Sequence, residues 1–158
     1  MGSPRYHVRG KMDEKWDERF LDLAKHVSTW SKDPSTQVGC VIANEDKKVV
    51  GLGYNGFPKG IVDSPERLND RETKYKYVVH SEPNAIANAN GPVKGCTIYT
   101  FPLSPCSDCM KAIITHGITR VVYPVVSEEA KVRWGDSFQV AMTMAREAGL
   151  ELVEMEEM

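Results

Sequence analysis

No apolar run in the chain of 158 residues reaches bilayer-spanning length, and its opening residues are polar, without the apolar stretch of a secretory leader. The expectation is a cytoplasmic protein with no membrane association. Cysteine is scarce: four residues, at 40, 96, 106 and 109, of which one pair has Cys-x-x-Cys spacing. That is too few for a disulfide-rich secreted scaffold, and a chain of this length buries roughly 68–70% of its unfolded surface without such staples. An excess of one charge is also lacking, since 20 Lys and Arg stand against 22 Asp and Glu. Polynucleotide binding draws on surplus basic side chains that neutralise phosphates, so a small ligand is favoured over a long nucleic acid. No repeat, linker or low-complexity tract divides the chain, and residues 12–158 read as one domain. Residues 1–11, with Met1-Gly2-Ser3-Pro4 ahead of basic residues and Met12, read as an expression scar or a native extension.

What is present is a regular alternation. Trp16, Phe20, Leu23, Ala24, Val27 and Trp30 recur at three- and four-residue intervals, predicting an amphipathic helix over 13–31. Pro34 stops its continuation, and two β-branched-rich runs at 37–43 and 48–54 read as a hairpin. The polar stretch 55–74 is long for a loop, so it is expected to be functional or partly helical and to border the site. Beyond it come a helix at 82–89, a strand at 96–101, a helix at 106–116, a strand at 120–123, a helix at 128–148 ending at Gly149, and a strand at 150–155. Strand and helix in alternation imply crossovers, a mostly parallel sheet and a three-layer α/β domain. The acidic end of the last strand reads as a sheet edge.

The residues that carry chemistry are His80-Ser81-Glu82 and Pro105-Cys106-Ser107-Asp108-Cys109. An imidazole and two thiolates suit a tetrahedral zinc with its fourth position open, where the pKa of bound water falls from about 16 to near 7. Two residues between Cys106 and Cys109 put both sulfurs at the first turn of a helix, and His80 precedes another; helix N-termini favour thiolates. Glu82 is close enough to act as a proton shuttle without being a ligand. Pro83 suits a first helical turn, where its missing N–H leaves no bond unmade.

Together the two motifs form the signature of zinc-dependent deaminases. The chain resembles the deoxycytidylate (dCMP) deaminases of the cytidine deaminase superfamily over most of residues 13–155. Beyond the metal motif, the resemblance rests on Ser31-Lys32-Asp33-Pro34-Ser35-Thr36-Gln37-Val38-Gly39, Gly53-Tyr54-Asn55-Gly56-Phe57-Pro58-Lys59-Gly60, Asn84-Ala85-Ile86 and Leu103-Ser104-Pro105-Cys106. It implies an α/β/α sandwich around a central five-stranded mixed sheet, zinc on His80, Cys106 and Cys109, and Glu82 as the proton carrier. It also implies hydroxide attack at C4 of dCMP, giving dUMP and ammonia and so supplying dUMP for thymidylate synthesis. Asn55 would contact the deoxyribose, Ser104 would lie on the substrate side, and Lys32, Ser35 and Tyr123 are candidates for the phosphate. Ser81 stands where the family has Ala, a position whose backbone N–H faces the pyrimidine carbonyl. The resemblance further allows a homohexamer and control by dCTP as activator and dTTP as inhibitor, with magnesium, at Gly53, Tyr54, Asn55 and Gly56. A turn that needs glycine for its backbone angles explains those glycines equally well.

Other residues read as structural. His26 lies on the first helix and His116 at a helix end, while Cys40 and Cys96 sit in strand patterns as small buried hydrophobes. Met142 and Met144 fill the core or a subunit contact. Competing functions are another cytosine nucleotide or modified dCMP as substrate, a Cys106/Cys109 redox pair, and a structural zinc module.

Overall fold

The computed structural model describes residues 6–7 and 14–157. In chain order the elements are β1 (Tyr6–His7), α1 (Glu14–Ser28), β2 (Gly39–Ala43), β3 (Val49–Tyr54), α2 (Pro65–Asn69), α3 (Arg71–Tyr77), α4 (Ser81–Ala87), β4 (Thr97–Phe101), α5 (Ser107–Thr115), β5 (Arg120–Pro124), α6 (Glu128–Glu147) and β6 (Glu151–Glu157). The sheet runs in the order β1-β6-β5-β4-β2-β3. Its five longer strands form the central mixed sheet. β4, β5 and β6 are parallel, whereas β2 is antiparallel to both β3 and β4. The expectation of a mostly parallel sheet therefore holds for one half only, because the β2–β3 hairpin joins the crossover strands edge-on. β6 is an open edge only as far as Met155, since Tyr6 and His7 pair antiparallel with Glu157 and Glu156. The scar-or-extension reading otherwise falls on residues outside those described.

Strand alternation divides the core into two layers. On one face Phe20, Leu21 and Ala24 of α1 pack against Val41, Tyr99, Val122 and Val153. On the other, Ala85 of α4, Met110 and Ile113 of α5, and Ala141 and Ala145 of α6 cover Cys40, Ile42, Ile98 and Val121. The result is the three-layer α/β/α sandwich. α1 ends at Ser28, short of the expected 31, and Trp30 lies beyond it, half exposed and edge-on to Tyr54. The polar stretch after Asn55 contains α2, capped by the Ser64 side chain, and α3, capped by Asp70.

Close backbone approach sets both helix layers. A Cβ on Gly39 would lie 2.9 Å from Ser28 Cα of α1, and one on Gly53 would lie 2.6 Å from the Ser81 carbonyl oxygen and 2.7 Å from Ala85 Cα of α4. Gly53 and Gly56 do not have positive φ. Turn geometry therefore does not account for them: Gly53 is required because α4 rests directly on β3.

Candidate active site

Two helix beginnings and a loop meet on the α4–α5 side of the sheet. His80 is the N-cap of α4 and Cys106 the N-cap of α5, and neither side chain caps its own helix. Both are thereby free to face outward from the helix starts, and Cys109 joins them from the first turn of α5. A two-residue bridge holds His80 in place: Gly56 N–H donates to Val79 O at 3.1 Å, and Val79 N–H donates to Gly56 O at 2.8 Å. Asn84 Nδ2 donates to Tyr54 O at 2.9 Å, tying α4 to the end of β3. Ser137 of α6 accepts from the Ser107 N–H at 2.9 Å, which fixes the start of α5.

The ligand atoms of His80, Cys106 and Cys109 all lie within 4.8 Å of one another, and among the described residues no other His, Cys, Asp or Glu joins this group. His80 Nδ1 is 3.2 Å from Cys109 Sγ and 3.5 Å from Cys106 Sγ. Hydrogen bonding from Cys109, with His80 adding to it, holds the Cys106 thiol down at about 4. The hydrogen bond to Cys106 and burial push the Cys109 thiol well up, and the Cys106 bond also raises His80. Two adjacent sulfurs thus resist carrying two negative charges unless a cation lies between them. One imidazole, two thiols and a demand for positive charge fit zinc with an open coordination position.

Glu82, in the first turn of α4, is buried beside this group. Burial, reinforced by the Cys106 charge, raises its carboxyl above the ordinary value. The Ser81 hydroxyl donates to Glu82 Oε1 at 2.9 Å and lies 3.0 Å from Cys40 Sγ. Cys40 is buried as expected, but it also takes part in this polar contact, for which its strand pattern carries no signal.

A cavity of about 320 Å³ opens over these groups, and its walls include Ser35, Asn55, Arg71, Lys74, Ser104, Arg133 and Trp134. Asn55 is largely engaged: its Nδ2 donates to Thr36 O at 2.9 Å and its Oδ1 accepts from Val38 N–H at 2.9 Å. It fastens the 33–38 loop to the wall. Asp33 organises the same loop, accepting from Ser35 N–H at 2.8 Å, Thr36 N–H at 3.0 Å and Lys74 Nζ at 3.1 Å.

Ser35, Asn55, Ser81 and Ser104 are therefore brought to the cavity along with His80, Glu82 and Cys106. Two of the expected phosphate candidates are not. Lys32 pairs with Asp63 at 3.0 Å and borders a separate, smaller cavity. Tyr123 lines a third groove, with its hydroxyl 3.8 Å from Met142 Sδ. The cations that do line the site are Arg71, Lys74 and Arg133, which the sequence reading missed. Lys74 is committed to Asp33, whereas Arg71 and Arg133 make no ion pair among the described residues. Arg71 and Lys74 share one helix face at i, i+3 spacing, a signal available only once α3 is recognised.

An imidazole and two thiols form the donor set of a metal centre with an open position, and a buried carboxyl stands beside it under an open cavity, as hydrolytic metal chemistry requires. The family model for the cytidine and deoxycytidylate deaminase zinc-binding region matches residues 14–125, and the chain belongs to that family. It is 47% identical over 115 residues to the deoxycytidylate deaminase of Mus musculus, a match covering 69% of this chain and 64% of the mouse protein. It is 42% identical over 141 residues to a deaminase of Aliivibrio fischeri encoded in the luxG 3′ region, covering 89% of this chain and 94% of that one. The fold matches the dCMP deaminase of cyanophage S-TIM5, solved in complex with dCMP and dUMP, with a TM-score of 0.71 at 24% identity over 92% of this chain and all of that one. Among the described residues no helix is long and apolar enough to cross a membrane.

Proposed function

We propose that the protein hydrolyses dCMP to dUMP and ammonia, and so supplies dUMP for thymidylate synthesis. The observation that carries this is the convergence of His80, Cys106 and Cys109, with His80, Cys106 and the buried Glu82 lining a nucleotide-sized cavity. His80, Cys106 and Cys109 hold zinc, which when bound supplies Lewis-acid activation of water at neutral pH. Glu82 takes one proton from the attacking water and delivers it to N3 of cytosine, then takes the second from the new C4 hydroxyl and gives it to the amine, which leaves as ammonia while the C4 carbonyl forms. A carboxyl raised above its ordinary range suits a group that must both take and give a proton. Asn55 retains one lone pair on Oδ1 for a deoxyribose hydroxyl, and Ser81 N–H and Ser104 lie on the pyrimidine side. Arg71 and Arg133, with Ser35, receive the 5′-phosphate.

A redox role for Cys106 and Cys109 leaves the adjoining His80 and Glu82 without a part, and a closed structural zinc site calls for a fourth protein ligand. Loss of cytosine absorbance, measured on zinc-loaded protein with dCMP, dCTP, deoxycytidine and CMP in parallel, tests the proposal. Preference for dCMP is expected; preference for another cytosine nucleotide or a 5-substituted dCMP moves the substrate assignment, and no turnover of any refutes the reaction. The Glu82→Gln variant should retain zinc and lose about 10²–10⁴-fold in kcat, the range of acid–base contributions. Full activity in that variant removes the proton shuttle.

The family resemblance also supports a homohexamer in the cytoplasm, controlled by dCTP and dTTP with magnesium at Gly53, Tyr54, Asn55 and Gly56. A cavity of about 140 Å³ bordered by Trp30, Lys32, Tyr54, Asn55, Gly56 and Asp63 adjoins that loop. It is smaller than the roughly 300–1,000 Å³ of ordinary ligand pockets, so a neighbouring copy would complete it.

A further inference from the structure

Ser81 occupies a position between a metal-binding histidine and a buried carboxyl, and its side chain is fully buried. Its Oγ lies 2.9 Å from Glu82 Oε1 and 3.0 Å from Cys40 Sγ, and Cys40 is itself fully buried in β2. Proton counting orders the contacts. A carboxylate only accepts, so the single Ser81 proton goes to Glu82, and the bond to Cys40 then requires the thiol to donate to Ser81 Oγ. The chain runs from the strand through Ser81 to the carboxylate, and each member is shielded from water, where such bonds are strongest. An alanine at 81 has no atom that can make either bond.

We propose that the Cys40–Ser81 pair is a positioning device that holds one oxygen of the Glu82 carboxylate, leaving the other free to carry protons at the reacting centre. This rests on Glu82 being the proton carrier. In this role the Ser81 hydroxyl and the Cys40 thiol touch neither substrate nor metal; they act through Glu82. A bond that fixes an acid–base group affects the chemical step more than substrate binding, so the signature is a fall in kcat with KM retained.

The test compares zinc-loaded wild type, Ser81→Ala, Cys40→Ala and Cys40→Ser, each checked for zinc stoichiometry. Ser81→Ala is expected to lower kcat for dCMP by about tenfold, the effect of losing one hydrogen bond to a charged group, with KM changed by less than about twofold. Cys40→Ala should lower kcat less, and Cys40→Ser, which keeps a donor, should restore it. A second readout needs no turnover: the infrared carboxyl band of Glu82, assigned by its disappearance in Glu82→Gln, should shift in Ser81→Ala and stay in place in Cys40→Ser. Wild-type kcat in Ser81→Ala overturns the proposal. So does a fall in kcat with an unmoved band, which would attribute the loss to packing. Zinc-loaded wild type without activity on any cytosine nucleotide defeats the deaminase reading instead, and the band then decides by itself whether Ser81 holds Glu82.

Discussion

Asp17 offers the sharpest test of how the layers are joined. Its carboxylate is fully buried on α1 and accepts from Arg120 Nη1 at 2.7 Å, Arg120 Nη2 at 2.6 Å and Tyr99 Oη at 3.1 Å. One side chain thereby ties α1 to β5 and β4, and its proximity pushes the Arg120 pKa up. In an Asp17→Ala variant the guanidinium, whose side chain is only 15% exposed, keeps a single longer contact to Glu151 at 3.4 Å, and the Tyr99 hydroxyl loses its carboxylate acceptor. Breaking a buried pair in this way costs about 3–5 kcal/mol, a large share of the roughly 5–15 kcal/mol that holds a domain together. At a urea m-value of about 2 kcal/mol/M, the midpoint should fall by about 1.5–2.5 M. Urea unfolding followed by far-UV circular dichroism measures it. Replacing both partners, Asp17→Leu with Arg120→Met, should recover most of the loss, because no charge is then stranded. A midpoint shift below about 0.5 M for Asp17→Ala would refute the reasoning, since it would mean that the pair contributes no more than a surface ion pair.

Other consequences follow from the site. Gly53→Ala should cost about 1–3 kcal/mol through overpacking, and should lower kcat because the added Cβ meets the Ser81 carbonyl and displaces the turn bearing Glu82; thermal unfolding with parallel kinetics checks both. In metal-stripped protein Cys106, held at about 4, is a thiolate throughout the range above that value, while Cys109 stays protonated. Iodoacetamide at pH 6 should therefore label Cys106 before Cys109, Cys40 or Cys96 in peptide maps, and zinc should protect it; equal labelling of Cys106 and Cys109 contradicts the assignment. Arg71→Gln combined with Arg133→Gln should raise KM for dCMP by about tenfold or more and leave deoxycytidine turnover little changed, since a charge-assisted contact contributes about 1.5–3 kcal/mol. An equal effect on both substrates would place the phosphate elsewhere.

Much of this molecule is legible in the chain. The three- and four-residue periodicity of α1, the β-branched hairpin and the later alternation reflect burial on one face, a local pattern that survives without coordinates. The metal group is legible for a similar reason: Cys106 and Cys109 are fixed by one helical turn, and His80 and Glu82 by another. The short helices α2 and α3 are masked by polar composition, since among their residues only Lys74 is buried. Trp30 continues the α1 periodicity past the helix end, where the chain has already turned.

The cavity wall could be decided only by the tertiary structure. Lys32 and Ser35 are three residues apart, yet Lys32 turns to Asp63 while Ser35 lines the site, because Asp33, gripped by Lys74 from a distant helix, reverses the loop between them. Arg71 and Arg133 lie 62 positions apart in the sequence and reach one cavity through separate packing of α3 and α6. Cys40 reads in sequence as a small hydrophobe, and only the registry of β2 beneath α4 sets its sulfur against Ser81. The sequence by itself determined the longer elements and the His80, Cys106 and Cys109 group, because each depends on neighbours within a helical turn or a strand. Which charges face the substrate, and which polar atoms support Glu82, depend on contacts between distant segments, which only the packed fold brings together.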